Sequence, residues 1–133
     1  MNILLFLTPK KEVSYLELGF TVRQALEKME NHRYSSTPII NDEGEYVGTL
    51  SEGDLLYFIK NHFNLTLEAA EDIPLSAVTR HVDYLPVSAN AELKDIFERA
   101  MDQNFVPVID DGNHFIGIIT RKKILNHFKD KIL

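Results

Sequence analysis

The chain has 133 residues, of which 44% are hydrophobic and 26% charged, and its formal net charge is −6. This length suits one domain of ordinary size, and the acidic balance argues against a general nucleic-acid-binding surface, which would be basic. The sequence contains no cysteine, which excludes disulfide scaffolds, thiolate metal sites and cysteine nucleophiles.

The first apolar run of the chain covers residues 3–7. It is too short to span a membrane. The basic residues Lys10 and Lys11 follow the run instead of preceding it, which does not fit a secretory signal. We therefore expect a buried first element in a cytoplasmic chain that does not enter the membrane.

The first half of the chain predicts a strand, a helix, two strands and a second helix. An extended segment over 12–18 leads to a helix that Thr21 and Gln24 would begin with a capping box. Strands are predicted over 38–41 and 46–50 around a polar turn, and a helix follows over 53–63. The apolar stripes of the two helices are Val22, Ala25, Leu26 and Met29, and Leu55, Leu56, Ile59 and Phe63.

The second half predicts the same elements in the same order. A connector over 64–78 is rich in apolar residues and poor in glycine, so we expect it to be ordered and partly helical. An extended segment over 82–87 and a helix come next, then strands over 106–109 and 115–119, and a last helix over 121–128. The apolar stripe of the first of these helices is Leu93, Ile96, Phe97 and Ala100.

The two halves are an internal repeat. Pro38 and Pro107 lie 69 positions apart, as do Gly48 and Gly117. Upstream, the helix and the segment before it repeat at an offset of 71. The repeat predicts an α+β fold of two β-α-β-β-α units, over 1–63 and 79–133 with 64–78 between them, packed as a pseudo-twofold pair. Such a pair has equivalent clefts between its units, where small ligands bind.

The order of these motifs resembles that of tandem CBS domains, which are named after cystathionine β-synthase. The resemblance covers nearly the whole chain. It implies a regulatory module that binds adenine nucleotides such as AMP, ADP or ATP, and that commonly forms dimers. The residues that carry it include Thr37, Pro38 and Ile39; Gly48, Ser51 and Asp54; Val78, Thr79 and Arg80; Val106, Pro107 and Val108; and Gly117, Thr120 and Lys123.

By this resemblance, Ser51 would contact a phosphate and Asp54 would accept hydrogen bonds from ribose hydroxyls. A helix N-terminus offers free N–H groups and a positive dipole end to a phosphate. The alternative is that Ser51 and Asp54 only cap the helix. The two roles can coexist.

The second half departs from the family pattern, because Lys123 stands where the family has aspartate. Thr120 keeps the place of Ser51, and Arg121 opens the helix beside two lysines. Three cations in a first helical turn oppose the helix dipole by about 0.3–1 kcal/mol each. Solvent or a nearby acid such as Asp110 could offset this cost. A bound phosphate, which arginine can hold with paired hydrogen bonds, could do so as well.

Other positions resemble adenine or phosphate contacts of the family. For the apolar ones, plain core packing is the competing interpretation. These further candidate ligand residues are Thr8, Val13, Thr37, Pro38, Ile39, Thr79, Arg80, Tyr84, Val106, Pro107 and Val108.

Catalytic motifs are missing from the sequence. The five histidines lack metal-ligand spacing, and no nucleophile elbow or phosphate-binding loop occurs. We therefore expect a ligand-binding module that is not an enzyme and has no metal or catalytic cofactor. Its expected partners are an adenosyl small molecule, a second copy of the chain and a regulated protein, with no nucleic acid or membrane. The alternatives are a cyclic di-AMP sensor, or a structural dimerisation or adaptor module without a ligand.

Overall fold

The computed structural model describes residues 2–62 and 65–132. The chain forms two compact units. The middle unit is the continuous stretch Ser14–Asp83. The terminal unit combines Met1–Val13 with Tyr84–Leu133. This division differs from the one that the repeat alone suggests, because the segment that leads into the first repeat belongs to the unit built on the second.

Seven strands and five α-helices lie in the described part of the chain. The strands are β1 (Thr8–Pro9), β2 (Leu16–Glu17), β3 (Ser36–Ile40), β4 (Tyr46–Ser51), β5 (Val87–Ser88), β6 (Phe105–Ile109) and β7 (Phe115–Thr120). The helices are α1 (Val22–His32), α2 (Glu52–Lys60), α3 (Leu67–Ala70), α4 (Leu93–Asp102) and α5 (Arg121–Ile132).

The middle unit is a three-stranded sheet in the order β2-β3-β4. Strand β2 runs parallel to β3, and β3 pairs antiparallel with β4, with Pro38 opposite Thr49. Parallel neighbours need a crossover connection, and α1 supplies it. The predicted capping box opens this helix, because Thr21 Oγ1 accepts from the Gln24 N–H at 3.3 Å and Gln24 Oε1 accepts from the Thr21 N–H at 2.8 Å.

The terminal unit repeats this arrangement with one added strand, in the sheet order β1-β7-β6-β5. Strand β5 is parallel to β6, and β6 is antiparallel to β7, with Pro107 opposite Ile118. Both units thus have the predicted β-α-β-β-α order. The two prolines occupy equivalent positions, and the pairing shifts register one residue after each of them, at Ile39 and at Val108.

Leu56, Ile59 and Phe97 of the predicted apolar stripes are more than a third exposed, so the stripes of α2 and α4 were predicted too wide. Each unit nevertheless has its own hydrophobic core, made by the strands and the buried residues of the helices. Burial of these side chains is the main favourable contribution to folding. The buried core of the middle unit includes Leu16, Val22, Ala25, Ile39, Leu50, Leu55, Ala70 and Leu75. That of the terminal unit includes Ile3, Phe6, Val87, Ile96, Val106, Val108, Ile119 and Ile124.

Several predicted boundaries were wrong. The extended segments before α1 and α4 contain strands of only two residues each, because β2 and β5 pair with their neighbours over just that length. Helix α2 ends at Lys60, so the predicted helix stopped too late, and Phe63 lies outside the described residues. Helix α5 runs to Ile132, beyond the predicted end at residue 128.

The first apolar run is only half buried. Residues Ile3–Phe6 form a 3-10 helix, in which Ile3 and Phe6 are buried while Leu5 is 72% exposed. A 3-10 helix has three residues per turn, so the first and fourth residues share a face. The prediction of a buried element therefore holds for one face of this segment.

The connector after α2 is partly helical, as predicted. It contains α3, which Thr66 caps by accepting from the Ala69 N–H at 3.0 Å, and a 3-10 helix over Leu75–Ala77. Ala70 and Leu75 are buried in the core of the middle unit. No helix in residues 2–62 and 65–132 is both long and apolar enough to cross a membrane.

Candidate functional site

The candidate ligand residues fall into two groups, one in each unit. Each group joins a helix start from one repeat to the segment that leads into the other repeat. The group in the middle unit is Thr37, Pro38, Ile39, Ser51, Asp54, Thr79 and Arg80. The group in the terminal unit is Thr8, Val13, Tyr84, Val106, Pro107, Val108, Thr120, Arg121 and Lys123.

The start of α2 is a complete capping box. Ser51 Oγ accepts from the Asp54 N–H at 3.1 Å, and Asp54 Oδ2 accepts from the Ser51 N–H at 3.0 Å. Ser51 is both the last residue of β4 and the N-cap of α2, so the strand leads directly into the helix. The capping role of Ser51 and Asp54 is therefore present in this structure.

Asp54 has a second set of partners that the sequence analysis did not find. Its Oδ1 accepts from the His81 N–H at 3.0 Å and from His81 Nδ1 at 2.7 Å. The Asp54 residue is 2% exposed, whereas the His81 side chain is 54% exposed. Burial acts to raise the pKa of Asp54, but the hydrogen bonds from Ser51 and His81 together outweigh it, so the pKa lies below its ordinary value.

A second carboxylate ties the same segment to β4. Asp83 Oδ1 accepts from the Thr49 N–H at 2.9 Å and from Arg80 Nε at 2.8 Å. This pair lies directly over Gly48, where an added Cβ would be 2.5 Å from Asp83 Oδ1 and 2.7 Å from Arg80 Nε. Only glycine leaves room for this approach. The segment Thr79–Asp83, here called the strap, is thus fixed by Asp54 at one point and by Thr49 at another.

The terminal unit places its leading segment in the same way. Strand β1 pairs antiparallel with β7, so that Thr8 and Pro107 both lie opposite Ile118, on its two sides. Gly117 has a φ of +153°, and an added Cβ there would overlap the Thr8 carbonyl oxygen. The repeated glycines Gly48 and Gly117 therefore serve one purpose, which is to admit the leading segment of the other repeat.

The start of α5 is capped by Thr120. Thr120 Oγ1 accepts from the Lys123 N–H at 3.2 Å. Arg121 Nε donates to the Ala100 carbonyl at 2.7 Å, near the C-terminal end of α4, where a cation is favourable. The sequence analysis weighed solvent, acids and phosphate as offsets for the cations of this turn. For Arg121 the structure supplies a different one, the end of the neighbouring helix.

Several candidate residues are buried in the cores. Ile39, Val106 and Val108 are 0% exposed and belong to the core clusters, while Pro38 and Pro107 are buried within their strands. Val13 is 9% exposed. Thr37 is 1% exposed, and within the part of the chain that the structure describes its hydroxyl lacks a hydrogen-bond partner. Tyr84 is half-buried, with its hydroxyl accepting from the Asn104 N–H at 3.3 Å and its ring packed on Phe105.

A cavity of about 550 Å³ opens beside the Asp54–His81 contact. It has a mixed polar and aromatic lining from α2, the connector and the strap: Asp54, Tyr57, Phe58, Asn61, His62, Ile73, Ala77, Thr79 and His81. Among the described residues, no group of three or more histidines, aspartates or glutamates could hold a metal ion.

The family of the chain follows from its two repeats. The family model of the CBS domain matches residues 7–61 and again 70–130. The chain belongs to the CBS domain family. Both matched stretches contain the β-α-β-β-α elements described above, so the protein is a CBS pair.

Solved CBS structures superpose closely on this chain. A CBS domain protein from Streptococcus pneumoniae is 28% identical, with a TM-score of 0.84 over 96% of this chain and 86% of that one. CbpB in complex with c-di-AMP is 27% identical, with a TM-score of 0.84 over 99% of this chain and 87% of that one.

A longer curated relative is MJ1225 from Methanocaldococcus jannaschii, which is 26% identical over 123 residues. The match covers 84% of this chain but 44% of MJ1225. This CBS pair thus spans less than half the length of that relative.

Proposed function

We propose that this CBS pair is a regulatory module that binds an adenine nucleotide such as AMP, ADP or ATP. The observation that carries the proposal is the group formed by Ser51, Asp54, Thr79 and Arg80 in the middle unit. The start of α2 offers N–H groups and a positive dipole end, which suit a phosphate. Arg80 lies in the strap, where its Nε donates to Asp83 and leaves the other N–H groups of the guanidinium to offer to an anion. A carboxylate suits ribose hydroxyls.

A cyclic dinucleotide is the second candidate ligand. CbpB, whose structure is similar to this chain at 27% identity, is solved in complex with c-di-AMP. The terminal unit offers cations to an anionic ligand, because Lys123 replaces the aspartate of the other repeat and Lys122 is exposed beside it. A ligand with two phosphates would match these cations.

A structural adaptor without a ligand is the alternative of a different class. It is supported by the hydrogen bonds of Asp54, which Ser51 and His81 already supply within the protein. In an adaptor, Asp54 would serve only to hold the strap on α2. Nucleotide binding separates the two functions, because an adaptor would bind none of the candidate ligands.

We also propose that the chain forms a homodimer through the groove between α1 and α2. The groove has a volume of about 550 Å³ and is lined mainly by Leu26, Met29, Tyr34, Leu55, Leu56 and Ile59. Leu56 is 63% exposed and Ile59 is 41% exposed. Covering such side chains stabilises an assembly, and closed twofold dimers are the commonest assemblies.

Calorimetric titration tests the ligand proposal. Wild-type protein is titrated with AMP, ADP, ATP and c-di-AMP, and the strongest ligand is then titrated into Asp54→Ala. We expect the free energy of binding to become less favourable by about 1.5–3 kcal/mol, the range for a hydrogen bond to a charged group. Asp42→Ala removes an exposed carboxylate from a turn of the same unit and should bind like wild type. Equal affinity of Asp54→Ala and wild type would show that Asp54 is only a cap.

A further inference from the structure

The hydrogen bonds of Asp54 leave little room for a ribose. An ionised carboxylate has about four acceptor positions. Three are taken here, by the Ser51 N–H, the His81 N–H and His81 Nδ1. One position remains, which is enough for a single hydroxyl, whereas a vicinal diol that binds through both hydroxyls needs two.

The three bonds differ in how easily they can be given up. Two come from backbone N–H groups, and breaking them would unwind the start of α2 or lift the strap. The third comes from the imidazole of His81, whose side chain is 54% exposed and whose ring packs edge-to-face with that of Tyr57 at 5.2 Å between centroids. A change of side-chain rotamer is therefore sufficient to free the second acceptor position.

We infer that His81 determines which ribose the middle unit accepts, by acting as a displaceable internal ligand of Asp54. With the imidazole in place, the site offers one acceptor and discriminates poorly between a ribose and a deoxyribose. With the imidazole removed, both hydroxyls of a ribose can reach the carboxylate. The inference rests on the proposed nucleotide-binding function and assigns the ribose specificity of that site to a residue outside the family motif.

The experiment compares AMP with 2′-deoxy-AMP, which differ by one hydroxyl, in calorimetric titrations of wild type and His81→Ala. Wild type should bind the two within about threefold of each other. In His81→Ala the AMP affinity should rise on the order of tenfold, since one hydrogen bond to a carboxylate is gained, while the affinity for 2′-deoxy-AMP changes little. The backbone N–H of residue 81 still reaches Asp54 in this variant, so the strap should remain in place.

Two further variants test whether the imidazole of His81 itself causes the effect. His81→Asn keeps an N–H donor close to the position of Nδ1 and should stay near the wild-type ratio of the two affinities. His114→Ala removes an exposed histidine that faces Asp110 at 3.4 Å in the terminal unit, and it should behave like wild type.

Each other outcome overturns the inference in a recognisable way. His81 does not compete for Asp54 if wild type binds AMP at least tenfold more tightly than 2′-deoxy-AMP. The same conclusion follows if His81→Ala does not raise the ratio of the affinities for AMP and 2′-deoxy-AMP. In both cases the proposed nucleotide binding stands. If neither protein binds either nucleotide, the proposed function fails and the role of His81 fails with it.

Discussion

At the scale of single residues, Asp54 joins the start of α2 to the strap. It caps α2, holds the strap through His81 and is almost fully buried. The sequence identified Ser51 and Asp54 because a cap and a family motif coincide at two positions three residues apart. It did not identify His81, because no local pattern indicates that a residue 27 positions away will reach the same carboxylate. That contact exists only because the strap folds onto α2.

The lowered pKa of Asp54 makes stability depend on pH. Its carboxylate is stabilised in the folded protein relative to the unfolded chain, whose ordinary value is 3.8. The contribution is complete above that value and is lost as pH falls through the lower native pKa. Asp54→Asn should therefore reduce the free energy of unfolding by about 1–3 kcal/mol at pH 7, and the gap from wild type should narrow below about pH 4.

Urea unfolding at several pH values between 7 and 3 measures this effect. Asp42→Asn serves as the control for the loss of one negative charge from the same unit. A difference in unfolding free energy between wild type and Asp54→Asn that stays constant down to pH 3 would contradict the lowered pKa of Asp54.

At the scale of elements, amphipathic helices were more predictable than short strands. The stripe of α1 and its capping box are local patterns, and both are present in the structure. The lengths of β2 and β5 were not predictable in this way, because a strand ends where its neighbour stops pairing with it. The side-chain hydrogen bond of Arg121 with the end of α4 is likewise a contact between elements, so its position in the sequence did not reveal it.

The close approach of the strap to β4 predicts a strong effect of Gly48→Ala. The added methyl group would meet side-chain atoms of Asp83 and Arg80 at less than 3 Å, so these side chains must shift and their hydrogen bonds with each other and with Thr49 would be disturbed. We expect a loss of about 1–3 kcal/mol in unfolding free energy, the usual cost of overpacking, together with weaker nucleotide binding. Gly19→Ala is the matched control, since nothing lies within 4 Å of its added Cβ, and it should change stability much less. Equal stabilities of the two variants would show that the strap can move away from β4 without loss of stability.

At the scale of the whole molecule, the repeat predicted two units of one topology, but not how the chain is shared between them. The offset between Pro38 and Pro107 indicates that the two copies have the same order of elements. It does not reveal that the segment at Thr8 pairs with β7, or that the strap lies on β4. Both choices depend on tertiary contacts at Gly117 and Gly48, which appear in the sequence only as two glycines.

The proposed homodimer predicts that a charge in the α1–α2 groove lowers the association state. Leu56→Glu would place a carboxylate at the interface and should yield a species of one chain in sedimentation at tens of micromolar protein, where we expect wild type to be dimeric. Leu67→Glu makes the same change on α3, at a side chain that is 56% exposed and does not line the groove, and it should leave the dimer intact. Dimers of Leu56→Glu would exclude this groove as the interface.

The pairing of β1 with β7 sets an order for folding during synthesis. Thr8 and Ile118 are separated by about 110 positions, so the ribosome must release all the residues between them before they can meet. The middle unit is contiguous and can close while its successor is still being made. Ile3 and Phe6 lie in the core of the terminal unit, so they lack their packing partners until the strands β6 and β7 have been made.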